Sequence, residues 1–152
     1  MASKEELNFN EPHAPQEHAI EAFAQILPQI KFELIKSRKH WDGHEPRMYS
    51  RLQGISDDEF TSFDLRKDFV EVRSAPTAYG QIVLGKIRIP AVRDEHGEGF
   101  VHIRIHDPPN KGSEDVIFHS LFTDEIRDDP NERPIDYRAI QTADKSLEFF
   151  NE

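Results

Sequence analysis

The chain has 152 residues, a formal net charge of −10 at pH 7, 36% hydrophobic residues and no cysteine. This length is typical of one domain, and the negative charge disfavours nucleic-acid phosphates and anionic membranes as partners. The lack of cysteine excludes disulfides, thiolate catalysis and thiolate zinc sites. No run approaches the roughly 18 apolar residues of a membrane helix, and the N-terminus lacks a signal peptide's apolar core. We therefore expect a cytoplasmic protein, with the nucleus as the alternative.

The N-terminal half begins with a polar stretch and continues with a helical pattern. Residues 1–15 contain two prolines and no apolar periodicity, which predicts a flexible lead-in to one α+β domain over residues 16–152. Apolar side chains then recur every three or four positions, as on one face of a helix. Pro28 predicts a kink or a second helix that begins there. The glycines and proline of residues 37–54 predict a loop with a short helix near 46–53.

The sequence ISDDEF predicts a helix that begins at Asp57. Ser56 can cap the first turn, and Glu59, three residues later, can bond back to the Ser56 backbone in a capping box. Phe60 and Phe63 would then share the buried side of this helix.

The C-terminal half changes to a period of two, which is typical of strands. FVEVRS predicts one strand, and QIVLGKIRIPAV with GFVHIRIHD predicts a hairpin. Its connection, RDEHGE, is expected to be too long for a tight two-residue turn. DVIFHSLF predicts the next strand of an antiparallel meander, and the charged residues 123–136 predict an exposed loop. A terminal helix is predicted from apolar residues at helical spacing: Ile140, Ala143, Leu147 and Phe150.

These elements predict an α+β fold in which N-terminal helices pack on a C-terminal antiparallel β-meander, followed by a terminal helix. The same order of elements occurs in the cone-shaped NTF2-like architecture, whose concave sheet often encloses ligands or acid/base sites. A curved, cone-like sheet is therefore one form that the predicted fold can take. No motif in the sequence identifies a family, and a fold alone does not determine function.

The strand GFVHIRIHD places cationic side chains on one side of the predicted sheet. Because side chains alternate along a strand, Val101, Ile103 and Ile105 would face the core, and the residues between them the opposite side. The preceding strand separates its isoleucines from its basic residues in the same way, and antiparallel pairing would align the two sets. We call the resulting group the cationic face: Lys86, Arg88, His102, Arg104 and His106.

Two interpretations of the cationic face lead to different functions. A solvated outer face would pair its charges with nearby carboxylates, at about 0 to 1 kcal/mol for each pair. A ligand-binding face would use arginine for two parallel hydrogen bonds to carboxylate or phosphate, and histidine for pH sensitivity. The functional hypothesis is a binding or interaction module that uses this face, with an anionic small molecule or an acidic protein segment as partner.

The alternative is a small cofactor-independent enzyme of the isomerase, dehydratase or cyclase type. General acid–base catalysis needs an enclosed histidine and carboxylate with shifted pKa values, and no particular sequence motif. The sequence lacks a GxSxG elbow and a glycine-rich phosphate loop, and no cofactor is predicted. The candidate catalytic residues are His102, His106, Asp107 and His119.

No metal site is predicted. His40 and His44 are four residues apart, but Gly43 and Pro46 argue against the helix that would bring them together. His102 and His106 would lie about 13 Å apart along a strand, too far to share one ion. The acidic segments SDDE and TDEIRDDPNE do not follow the calcium-loop pattern.

Overall fold

The fold is a layer of helices on a four-stranded antiparallel sheet, as the sequence predicts. The computed structural model describes residues 9–78, 80–95, 97–108, 116–129 and 131–150. No helix within these ranges is long and apolar enough to span a bilayer. The elements in chain order are α1 (Glu17–Gln25), α2 (Leu27–His44), a 3₁₀ helix (Pro46–Leu52), α3 (Asp57–Phe60), α4 (Leu65–Asp68), β1 (Phe69–Thr77), β2 (Gly80–Asp94), β3 (Gly97–Asp107), β4 (Ile117–Leu121), β5 (Asp124–Ile126) and β6 (Asp136–Arg138).

The helix break at Pro28 is confirmed, but the second helix is longer than predicted. α2 carries Pro28 in its first turn, where the missing N–H would have no partner within the helix. It then continues to His44, through residues that were predicted to form a loop. Gly43 costs a helix only about 1 kcal/mol relative to alanine, and Pro46 lies beyond the helix end, where it begins the 3₁₀ helix.

The capping box at the start of α3 is confirmed. Ser56 Oγ accepts a hydrogen bond from the Glu59 backbone N–H at 3.2 Å, and Glu59 Oε1 accepts from the Ser56 N–H at 3.4 Å. The helix lasts only four residues, but it places Phe60 in the core, and Phe63 just after it is also buried. Both phenylalanines are therefore buried as predicted, but they do not share one helix, because Phe63 lies beyond the end of α3.

The sheet has the strand order β1-β2-β3-β4, which is the predicted meander. Asp94 at the end of β2 pairs with Gly97 at the start of β3, so only two residues connect these strands. The prediction of a longer loop is wrong because the polar residues at both strand ends join the ladder. Gly97 has a φ of 88°, a conformation that favours glycine.

Two predictions for the C-terminal part are wrong. Residues 123–136, predicted as a loop, contribute strands to a second sheet in which β5 pairs with β6. The predicted terminal helix is absent from residues 139–150; instead Gln141 and Phe100 exchange backbone hydrogen bonds of 2.9 and 2.7 Å. A non-helical chain that crosses a sheet can also bury apolar residues at this spacing, and Ile140, Leu147 and Phe150 are buried in this way, while Ala143 is exposed.

The chain before α1 contacts the edge of β1. Asn10 N–H donates to the Ser74 carbonyl at 3.0 Å, and His13 exchanges two backbone hydrogen bonds with Val72. Residues 1–8 of the predicted lead-in lie outside the described residues, as do residues 109–114 of the predicted loop between β3 and β4.

Candidate functional site: a sheet face covered by the C-terminal segment

The middle parts of the two central strands, β2 and β3, are buried on both faces of the sheet. The helices cover one face, where Val101, Ile103 and Ile105 belong to the main hydrophobic core. The other face is covered by residues 142–150, which we call the C-terminal segment. The sequence predicted the division of side chains between the faces, and the burial of the second face is the feature that it did not reveal.

The structure places Lys86 and Arg104 of the cationic face beneath the C-terminal segment, with His102 buried beside them, whereas Arg88 and His106 are partly exposed. The register of β2 and β3 sets Lys86 opposite His102 and Leu84 opposite Arg104. Lys86, His102 and Arg104 are only 4%, 1% and 6% exposed, so this part of the sheet is not a solvated outer surface. Buried cations require compensating partners, and the C-terminal segment supplies several of them.

Lys86 is bonded to the backbone of the C-terminal segment. Its Nζ donates to the carbonyl oxygens of Ala143 and Lys145 at 2.7 and 2.8 Å, and it also lies 5.0 Å from the centre of the Phe100 ring. Burial lowers the pKa of Lys86, against the opposing influence of Glu71 and Asp144.

Two arginines make the same kind of contact from β1 and β3, the strands on either side of β2. Arg104 Nη1 on β3 donates to the Phe150 carbonyl at 2.9 Å, and Arg73 Nη1 on β1 donates to the Leu147 carbonyl at 2.9 Å. Arg73 was not among the residues predicted for the site. Because side chains alternate along FVEVRS, Arg73 lies on the other side of the sheet from Val72. Its position beside Leu84, however, depends on a strand register that the sequence does not specify.

Arg88 is held by carboxylates. Its guanidinium lies 2.7 Å from Asp68 Oδ1 and 2.9 Å from Glu98 Oε2. Asp68 is 2% exposed, and its hydrogen bond, followed by that of Glu98, raises the pKa of Arg88. This residue therefore links the sheet to α4, and no described hydrogen bond joins its side chain to the C-terminal segment.

The three predicted histidines lie in different environments. His102 stacks on Phe122 with ring centres 5.9 Å apart, and burial, followed by the charges of Lys86 and Lys145, lowers its pKa to about 3. It is neutral at pH 7 and shielded from solvent, which argues against a role as general acid. His106 and His119 stack on each other at 5.7 Å and are partly exposed.

Asp107 pairs with a histidine that the sequence analysis did not select. Its Oδ2 lies 3.0 Å from Nε2 of His18, a residue 89 positions away. Both residues line a cavity of about 340 Å³ between the start of α1 and the edge of the sheet. Its wall combines aliphatic side chains with amide, hydroxyl and imidazole groups: Asn10, His13, Gln16, Ala19, Ala22, Val72, Ser74, Gln81 and Val83. A larger cavity of about 610 Å³, between α2 and the 3₁₀ helix, contains no residue predicted for the site.

The prediction that no helix would bring His40 and His44 together is wrong, because α2 extends to His44. Both residues lie on this helix, and their ring centres are 4.4 Å apart. Within the described parts of the chain, however, no group of three or more histidine, aspartate or glutamate side chains is arranged to hold a metal ion.

The candidate site is thus a set of cations on three strands that bind the backbone of a peptide segment. Arg73, Lys86 and Arg104 make the described contacts, while His102 lies buried beside them. Geometry alone supports its interpretation, because no protein-family model, curated protein or solved structure matches this chain.

Proposed function

We propose that the protein is a binding module whose cationic face engages an acidic protein segment. The observation that supports this proposal is the C-terminal segment itself, an acidic stretch with Asp144 and Glu148 against one lysine. Three cations from three adjacent strands donate four hydrogen bonds to its carbonyl oxygens. The site therefore has the donors, the shape and the charge to accommodate a peptide of this kind.

The chemistry of these bonds favours exchange of one segment for another. Every residue carries a backbone carbonyl, so a different peptide can accept the same four hydrogen bonds. Buried cations are costly, and carboxylates close to Arg73, Lys86 and Arg104 would reduce that cost. Acidic segments should thus be preferred over neutral or basic ones of similar shape.

The attachment of the C-terminal segment also permits its displacement. Within the part of the chain that the structure describes, Gln141 is the last residue that exchanges backbone hydrogen bonds with the sheet. Among the described residues, no backbone-to-backbone hydrogen bond joins residues 142–150 to the sheet, and the Lys145 N–H closes a local turn onto the Thr142 carbonyl. The segment can leave from a hinge after Gln141 without breaking the strand ladder.

A labelled peptide of residues 142–152 tests this proposal by fluorescence anisotropy. The full chain carrying Leu147→Ala is expected to bind this probe about tenfold more tightly than the wild type, because its own segment competes less well. Adding Arg104→Gln to Leu147→Ala should weaken binding about tenfold through the loss of a charged hydrogen bond. Arg127→Gln, which removes an exposed cation directly after β5, is the matched control and should change the affinity less than twofold.

Circular dichroism at pH 7 would establish that these variants are folded. Failure of the folded Leu147→Ala chain to bind the probe, or equal affinities with Arg104→Gln and Arg127→Gln, would contradict the proposed use of the cationic face.

The pairing of His18 with Asp107 favours a second candidate function, proton transfer on a small molecule. The 3.0 Å contact at the wall of the 340 Å³ cavity has the geometry of a histidine oriented by a carboxylate, although the His18 side chain is 82% exposed and therefore not enclosed. This is the cofactor-independent isomerase, dehydratase or cyclase interpretation, with His18 in place of His102, His106 or His119.

Deuterium exchange into a panel of small carbonyl compounds in D₂O, followed by NMR, tests this second candidate. The wild type is expected to accelerate exchange at a carbon next to the carbonyl, and His18→Ala and Asp107→Asn should each reduce the rate at least tenfold. His44→Ala, which removes an exposed histidine of α2, is the control. Equal rates for all four chains would refute the assignment.

A further inference from the structure

The C-terminal segment also contacts the sheet through two apolar side chains. Leu147 is 0% exposed and Phe150 is 7% exposed. With Ile82 and Leu84 of β2 they form a small hydrophobic cluster that is separate from the main core. Phe9 and Phe122 pack against this cluster, and the ring centres of Phe122 and Phe150 are 5.2 Å apart. The segment is therefore anchored at two points three residues apart.

The residues between the anchors are less enclosed. Glu148 is exposed, and Phe149 is partly buried, with its ring beneath the Arg104 guanidinium at 5.0 Å. Hydrogen bonds to carbonyls do not distinguish one sequence from another, whereas a pocket that fits a side chain does. Selectivity at this face must then come from the positions of Leu147 and Phe150.

Building on the proposed function, we infer that the partner is an acidic segment of another protein with an aliphatic residue followed three positions later by an aromatic residue. The aliphatic side chain replaces Leu147 over Ile82 and Leu84, and the aromatic ring replaces Phe150 against Phe122. Carboxylates precede the first anchor and lie between the two anchors, as Asp144 and Glu148 do in the C-terminal segment.

The C-terminal segment is joined covalently to the sheet that it covers, and this tether is the reason to expect a different protein as the partner. A covalently attached segment competes at an effective concentration in the millimolar range. The identical segment of a second copy has the same contacts but no tether, so it cannot displace the attached one at ordinary protein concentrations. A partner succeeds by filling the two anchor pockets better or by carrying more negative charge.

Competition against the labelled 142–152 probe on the full chain with Leu147→Ala tests the pattern. Three unlabelled peptides should each compete about tenfold less well than the parent peptide: one with Leu147→Ala, one with Phe150→Ala, and one with a glycine inserted between positions 148 and 149. The insertion keeps both anchors but changes their spacing. A peptide with Ser146→Ala, an exposed position, is the control and should compete within twofold of the parent.

The outcomes separate this inference from the proposed function. Equal competition by all five peptides would overturn the anchor pattern and leave binding by the cationic face intact. Failure of the parent probe to bind would refute both. Dimerisation of the wild-type chain, abolished by Leu147→Ala in sedimentation experiments, would assign the face to a second copy and overturn the assignment to another protein. The milder Leu147→Val chain repeats the test if Leu147→Ala does not fold.

Discussion

Replacement of Leu147 by alanine is expected to lower the free energy of unfolding by about 2 to 5 kcal/mol. The side chain is fully buried, and its removal leaves a cavity beside Ile82 and Leu84. The variant also weakens the apolar cluster through which the C-terminal segment packs on the sheet beside Arg104. Equilibrium unfolding in urea at pH 7 measures the loss.

Ile135→Ala is the matched control for this measurement, because Ile135 is aliphatic but 50% exposed. Its effect should stay within about 0.5 kcal/mol. Similar losses for Leu147→Ala and Ile135→Ala would show that the C-terminal segment does not contribute a buried anchor. A smaller slope of the free energy of unfolding against urea concentration for Leu147→Ala than for the wild type would indicate that the segment is already detached in the native state of the variant.

The second large effect is expected in acid, where His102 should destabilise the native state by about 2.5 kcal/mol between pH 7 and pH 4.5. The pKa of His102 is about 3 in the folded chain, compared with an ordinary value of 6.5. Below pH 6.5 the unfolded chain therefore binds a proton that the folded chain excludes. The free energy of unfolding falls by up to about 1.4 kcal/mol for each pH unit until the pH approaches 3.

Urea unfolding of the wild type and of His102→Phe at both pH values isolates this contribution. Phenylalanine retains a ring against Phe122 but does not titrate, so the variant should lose about 2.5 kcal/mol less than the wild type on acidification. Carboxylates that protonate in the same range contribute equally to both chains and cancel in the difference. His44→Phe, at an exposed position, should follow the wild type, and identical losses for His102→Phe and the wild type would refute the prediction.

The sequence predicted those parts of the fold that depend on local chemistry. Alternation along β3 separates Ile103 from Arg104 in any antiparallel sheet, and the Ser56 and Glu59 side chains close their capping box within one helical turn. These features need no knowledge of distant residues. The general arrangement of N-terminal helices and C-terminal strands could therefore be predicted.

The candidate site required contacts that local patterns do not encode. The spacing of Leu147 and Phe150 is compatible with a helix, and only the docking of Gln141 against Phe100 directs the following residues across the sheet. The contribution of Arg73 depends on the register of β1 with β2, and the partner of Asp107 is 89 residues away. Whether the cationic face was open or covered was therefore not determined by the sequence pattern.

The direction of the hydrogen bonds on the covered face has a practical consequence for ligand chemistry. The sheet donates to the carbonyl oxygens of the C-terminal segment, and among the described contacts it accepts nothing from the amide groups of Ser146 or Glu148. Peptides that pair as an added strand lose binding when these amides are methylated, because the ladder needs both groups of the backbone. A peptide N-methylated at positions 146 and 148 would keep every described bond to this sheet, so methylation of its backbone is expected to leave these contacts intact.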